Sequence, residues 1–141
     1  MDEDHNRSLK QYVEIIKRLR TIPKKHRLRT MIWNDSCHCY KNPDAEVYAR
    51  KSRDAEKLLP KDIVPVIWDY RYAYPSIVKR ISAAGFKPWA APGRTVPLVR
   101  NWKKALLQSG GEGLLLTCWK KCTKENRAEL LNLVETSGPY L

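Results

Sequence analysis

Apolar positions along this chain switch between two rhythms, one of period near 3.6 and one of short continuous runs. Ser8 to Arg20 sets Leu9, Tyr12, Val13, Ile16 and Leu19 on one helical face. Ser8 and Gln11 have the spacing of a capping box, and Pro23 is expected to end that helix. Leu28 to Trp33 reads as a strand. Asn42-Pro43 opens a second helix, with proline at the first helical position, running to about Leu59. Ile63 to Trp68 is nearly continuous and β-branched, as a parallel strand covered on both faces should be, and Pro65 inside it predicts a bulge.

The rhythm then repeats. Pro75 opens a third helix with Ile77, Val78 and Ile81 inward, and Gly85 stops it. Phe86 to Ala90 is a short third strand. Pro97 to Ser109 is a fourth helix burying Leu98, Val99, Trp102 and Leu106, ended by Gly110. Leu114 to Cys118 is the fourth strand, and Thr123 caps a last helix carrying Leu130, Leu131, Leu133 and Val134. Helix–strand repeated four times, then a helix, is half of an α/β barrel or a small open parallel sheet. No repeat or linker divides residues 1–141, so a single domain is expected.

Four of the five tryptophans add a pattern to this frame. Trp33, Trp68, Trp89 and Trp119 stand at or next to the ends of the four apolar runs. Parallel α/β sheets place their sites outside the strand C-termini, so the indoles are expected to wall a pocket for a flat-faced ligand such as a sugar or a base. For Trp102, within a helix, a core role is expected.

Composition narrows the classes. With 141 residues the chain can bury a core but is short for a closed eight-stranded barrel, which takes about 250 residues. No apolar run is long enough to span a membrane, and the acidic start Met1-Asp2-Glu3-Asp4-His5 is unlike a secretory signal, so a cytoplasmic, membrane-free protein is expected. The formal net charge of +12 suits a polyanion partner, yet Lys and Arg are spread over every segment, as on solvated helix faces. Cys37-His38-Cys39 and Cys118 with Cys122 do not make a matched pair of zinc-ligand spacings. Reduced, unpaired cysteines and no metal or cofactor are expected.

Asp2-Glu3 precedes the first helix, where a preceding strand would end. Two adjacent carboxylates there, facing aromatic walls, could divide acid and base roles if their environments separate their pKa values. Asp2-Glu3, the helix from Tyr12 to Arg20 and Met31-Ile32-Trp33-Asn34-Asp35 together resemble the second half of a glycoside hydrolase family 20 β-N-acetylhexosaminidase barrel. Leu59-Pro60-Lys61-Asp62, Val66-Ile67-Trp68-Asp69-Tyr70, Gly85 to Ala91, Asn101-Trp102 and Gly113 to Lys120 continue the match in order. The Trp-Asp-Tyr, Trp-Ala-Ala and Leu-Thr-x-Trp pieces are most similar to the hexosaminidase D branch.

The resemblance implies a partial (β/α)8 TIM barrel, strands five to eight of the family, and substrate-assisted retaining hydrolysis of terminal N-acetylhexosamine. In it Glu3 is the general acid and then base, and Asp2 orients the acetamido group that attacks the anomeric carbon. Trp33, Trp68 and Trp119 enclose the sugar, with Asp69 or Tyr70 as a polar contact. Three departures stand out. The first four strands of the barrel are absent, Trp119-Lys120-Lys121 replaces the usual Trp-x-Glu, and no Tyr-x-Asp follows the seventh strand. A chain inactive alone and prone to self-association through open barrel edges is therefore expected. The alternatives are a basic nucleic-acid-binding module that stacks bases on the indoles, and a non-catalytic remnant.

Overall fold

A computed structural model describes residues 8–34, 50–93 and 95–141. Helix α1 spans Leu9–Lys25 and begins with the expected capping box: Gln11 N donates to Ser8 Oγ at 3.2 Å, and Ser8 N to Gln11 Oε1 at 2.9 Å. Pro23 does not end it. Proline lacks an N–H but keeps its carbonyl, and here Leu28 N donates to Pro23 O and Arg27 N to Lys24 O, with Arg27 at φ 56°. That is a Schellman cap with arginine in the left-handed position usually given to glycine.

Strand β1 (Met31–Asn34) follows, then helix α2, described over residues 50–55, and β2 (Val64–Trp68). Helix α3 spans Pro75–Ala83, β3 Trp89–Ala91, α4 Val96–Ser109, β4 Gly113–Leu114 and α5 Arg127–Ser137, with a closing 3₁₀ turn at Gly138–Tyr140. Gly110, at φ 81°, ends α4 as expected. The four strands form one all-parallel sheet in the order β1-β2-β3-β4. Alternating helices and parallel strands make this an α/β fold.

Pro65 stands in regular register opposite Ile32, not in a bulge. The reason lies in ladder direction. Val64 N donates to Thr30 O on the β1 side, so the next residue's N–H would face β3. The first strand residue of β3, Trp89, pairs with Val66, one position beyond Pro65, so no ladder bond is lost.

Register divides the sheet into two faces. Asn34, Ile67, Ala90 and Leu114 share one, and Trp33, Val66, Trp89 and Gly113 share the other. Ile67 and Ala90 belong to the core cluster, with Ile32 and Leu114 packed against it. So do Val13 and Ile16 of α1, Ala55 of α2, Val78 and Ile81 of α3, and Leu98, Trp102, Ala105 and Leu106 of α4. These helices therefore cover the same face, as consecutive right-handed crossovers do when strand order never reverses. Helix α5 departs from expectation. It starts at Arg127, beyond Thr123; Leu131 and Val134 are exposed, and only Ser137 is buried.

Under the tip of β1 a buried polar group is fully partnered. Asn34 Nδ2 donates to Glu56 Oε1 at 2.9 Å, the Arg80 guanidinium clasps both Glu56 oxygens, and Lys61 Nζ donates to Glu56 O at 2.6 Å. A buried carboxylate stays tolerable only when its oxygens are satisfied in this way.

Candidate active site

The carboxyl edge of the sheet begins with Trp68, the last residue of β2. The chain then turns sharply because the buried Asp69 takes its own downstream backbone as partner. Its Oδ1 accepts from Arg71 N at 2.6 Å and Tyr72 N at 3.0 Å, and its Oδ2 from Tyr74 Oη at 3.3 Å. Trp102, fully buried in α4, donates from Nε1 to Asp69 O at 3.3 Å. Asp69 is thus the keystone of the β2 tip, with both carboxylate oxygens used inside its turn.

Tyr70 reaches the opposite way. Its ring lies edge-on to Trp68 with centroids 5.8 Å apart, and its hydroxyl is 2.9 Å from Thr117 Oγ1. Gly93, just past β3, sits under this ring: a Cβ there would lie 2.6 Å from Tyr70 Cε1 and 3.0 Å from Thr117 O. Its φ of 56° gives a second reason for glycine. Tips of three strands, β2, β3 and β4, therefore converge on Trp68, Tyr70, Gly93 and Thr117.

The remaining indoles do not stand at one level. Trp33 pairs with Val66, one row short of Trp68 on the same face, and is 38% exposed. Trp89 opens β3, so it points back toward the amino edge, where its Nε1 donates to Glu112 Oε2 at 3.0 Å. Trp119 lies five residues beyond the end of β4 and is 62% exposed. The fourth strand is short because the run after Leu114 leaves the ladder after one further bond, Leu115 N to Ala90 O at 2.8 Å. The sequence-predicted Trp68 and Tyr70 are brought together, and Trp33 stands on the neighbouring strand one row short of Trp68. Asp2 and Glu3 lie outside the described residues, as do Cys37, His38 and Cys39. Among the described residues, Cys118 and Cys122 are free, and no group of His, Cys, Asp and Glu could hold a metal ion.

Thr117 and Gly93 were not singled out from the sequence. Pro92-Gly93 is a turn signal, and Thr117 sits in Leu-Thr-x-Trp, but nothing local shows that both meet Tyr70.

Further charge pairs lie at the amino edge. The Trp89 indole first, and Arg29 second at 2.6 Å, hold Glu112 below the usual carboxylate range. A paired hydrogen bond from Arg20, its Nε donating at 2.6 Å, likewise lowers Asp62 and raises Arg20. Burial lowers Lys61, whose Nζ lies 4.0 Å from the Phe86 ring centre, against the opposing pull of Glu56. The carboxyl edge thus offers aromatic surface and hydroxyls.

No family model matches this chain, and a search of curated proteins returned no match.

Proposed function

We propose that the chain is the C-terminal half of a (β/α)8 barrel of glycoside hydrolase family 20, a hexosaminidase D-like β-N-acetylhexosaminidase fragment. The observation that carries the reading is the convergence of Trp68, Tyr70, Gly93 and Thr117 at the carboxyl edge of a parallel sheet whose helices share one face. In barrels that edge is where ligands bind. Strand order supports a barrel over a doubly wound sheet, which would reverse its order at a switch point.

In this reading the terminal sugar stacks on Trp68 and Trp33, with Trp119 at the outer rim. Tyr70 contributes its hydroxyl, held in place by Thr117. Asp69 acts by fixing the β2 turn, because its oxygens are occupied there. Glu3 protonates the departing oxygen and then activates water, and Asp2 steers the substrate acetamido group into attack on the anomeric carbon. The helical faces and open edges support a chain that is inactive by itself. No cofactor takes part.

The test has two arms. The pure chain should release no chromogenic group from an N-acetylglucosaminide above background; clear release contradicts its inactivity. With a complementary first half restored, Glu3→Gln should abolish turnover, and an unchanged rate removes Glu3 from the acid role.

A second reading draws on one feature. Trp119 is largely exposed beside Lys121 and Lys124, both exposed, an arrangement on which a nucleic-acid base could stack. Binding to single-stranded nucleic acid that falls steeply with salt would favour it over the glycosidase.

A further inference from the structure

The apolar stripe of α1 outruns the surface that covers it. Val13 and Ile16 are buried in the core, yet Leu19, next on the same face, is 58% exposed, and Ile22 is 62% exposed. Leu28 joins them at 66% exposure, because its N–H donates to Pro23 O and the cap folds it back along the last turn. Leu19 and Ile22 are three residues apart on the helix, so the three side chains make one apolar patch at its end. Arg20 bonds to Asp62, just before β2, which sets that end at the amino edge, away from Trp68 and Tyr70.

Cations ring the patch. Arg18, Lys24, Lys25 and Arg27 are all exposed, while nearby acids are already engaged, Glu14 by Lys17 and Asp62 by Arg20. Arg27 stands at φ 56°, where glycine would be less strained, and among the described residues it makes no ion pair. The cap uses only its backbone, so the fold gains nothing from an arginine there; such an outlier points to a use for the side chain. We propose that the end of α1 docks an acidic protein segment, which seats an apolar side chain on Leu19, Ile22 and Leu28 and sets carboxylates against Lys24, Lys25 and Arg27. An apolar centre within a polar rim is the anatomy of a protein–protein contact. Other occupants fit less well. Phosphates of a nucleic acid would use the cations and leave the apolar trio bare. A bilayer would take an apolar face along the whole helix, whereas Lys10, Gln11 and Glu14 are exposed on its first half. A second copy, related by a two-fold axis, would set like charges against each other. The surface lies at the opposite edge from the proposed sugar site, so it stands or falls apart from the half-barrel reading.

The probe is a labelled helical peptide of glutamate with leucine at every third or fourth position, titrated with the full chain by fluorescence anisotropy. An oligoglutamate of equal length, a single-stranded oligonucleotide and vesicles containing phosphatidylserine are run beside it. The Glu/Leu peptide should bind at least about tenfold more tightly than oligoglutamate. Ile22→Gln keeps a good helix former but removes the apolar centre, and should weaken binding by about tenfold at an unchanged thermal midpoint. Arg27→Gly should weaken it by about threefold while raising the thermal midpoint by about 3 °C, since glycine relieves the left-handed position. A merely structural role for Arg27 would not lower binding as stability rises. No binding, binding indifferent to both substitutions, equal affinity for oligoglutamate, a preference for the vesicles or the oligonucleotide, or a dimer of the chain broken by Ile22→Gln would overturn the proposal.

Discussion

The two ends of the sheet are held by different chemistry. At the amino edge, charges pair: Arg20 with Asp62, Arg29 with Glu112, and Lys61 over Phe86. At the carboxyl edge, aromatic and hydroxyl groups interlock, Trp68 on Tyr70, Tyr70 on Thr117 and Trp102 on the Asp69 carbonyl, beside the buried Glu56–Arg80 pair under β1. Exposed ion pairs contribute little to stability and are screened by salt, whereas buried aromatic packing contributes more and fixes geometry. A face that must hold flat walls in place for a ligand is better built the second way. The proposed reading puts the ligand at the carboxyl edge, the end where α/β barrels bind theirs.

Several substitutions would break or sharpen that contrast. The largest effect is expected at Trp102, because it is fully buried and also ties α4 to the β2 tip. Trp102→Ala should destabilise the fold by about 3–5 kcal/mol in denaturant titration; a loss under about 1 kcal/mol would show that the tip is held by other means. Gly93→Ala comes next. Its φ strains a Cβ and the approach of Tyr70 crowds one, so a loss of about 2 kcal/mol is expected, read as a drop in thermal midpoint. Thr117→Val removes only the partner of the Tyr70 hydroxyl and should cost about 1 kcal/mol. Combined with Tyr70→Phe, the two losses should be less than additive, and strict additivity would deny the contact.

The smallest effect is expected at the amino edge. Glu112 has its pKa lowered in the folded state, so its contribution is present above its unfolded value near 4.5 and fades as pH falls through the lower folded value. Glu112→Gln should therefore cost at most about 1 kcal/mol at neutral pH, since the pair is largely exposed. The difference from the parent should vanish in acid. A gap that persists there would mean Glu112 acts through packing and not through charge.

Much of the frame was legible in the sequence because its signals are local. Ser8 and Gln11 make their capping box, Pro75 and Gly110 bound their helices, and the β-branched run ending at Trp68 is the buried central strand. Errors arose where distant structure decides. Pro65 needs no bulge because β3 starts one row later, a fact of register and not of composition. Leu131 and Val134 belong to the expected last helix, yet both are exposed, because α5 packs mainly against α4 and the closing turn. Trp89 and Trp68 look alike as aromatic strand neighbours, but three-residue β3 places one at its start and five-residue β2 places the other at its end. Of the residues expected at the site, Trp68 and Tyr70 do meet, because they are two positions apart at one strand end. Thr117 and Gly93 were not legible, because each matters only through a contact made across strands.

Trp68 and Trp89 therefore give the most direct test of where the ligand sits. In the barrel completed with a first half, kcat/KM for an N-acetylglucosaminide would be measured for Trp68→Phe and Trp89→Phe. Trp68→Phe should lower it by about tenfold or more, while Trp89→Phe stays within about twofold of the parent. The reverse order would place the ligand at the amino edge and contradict the account.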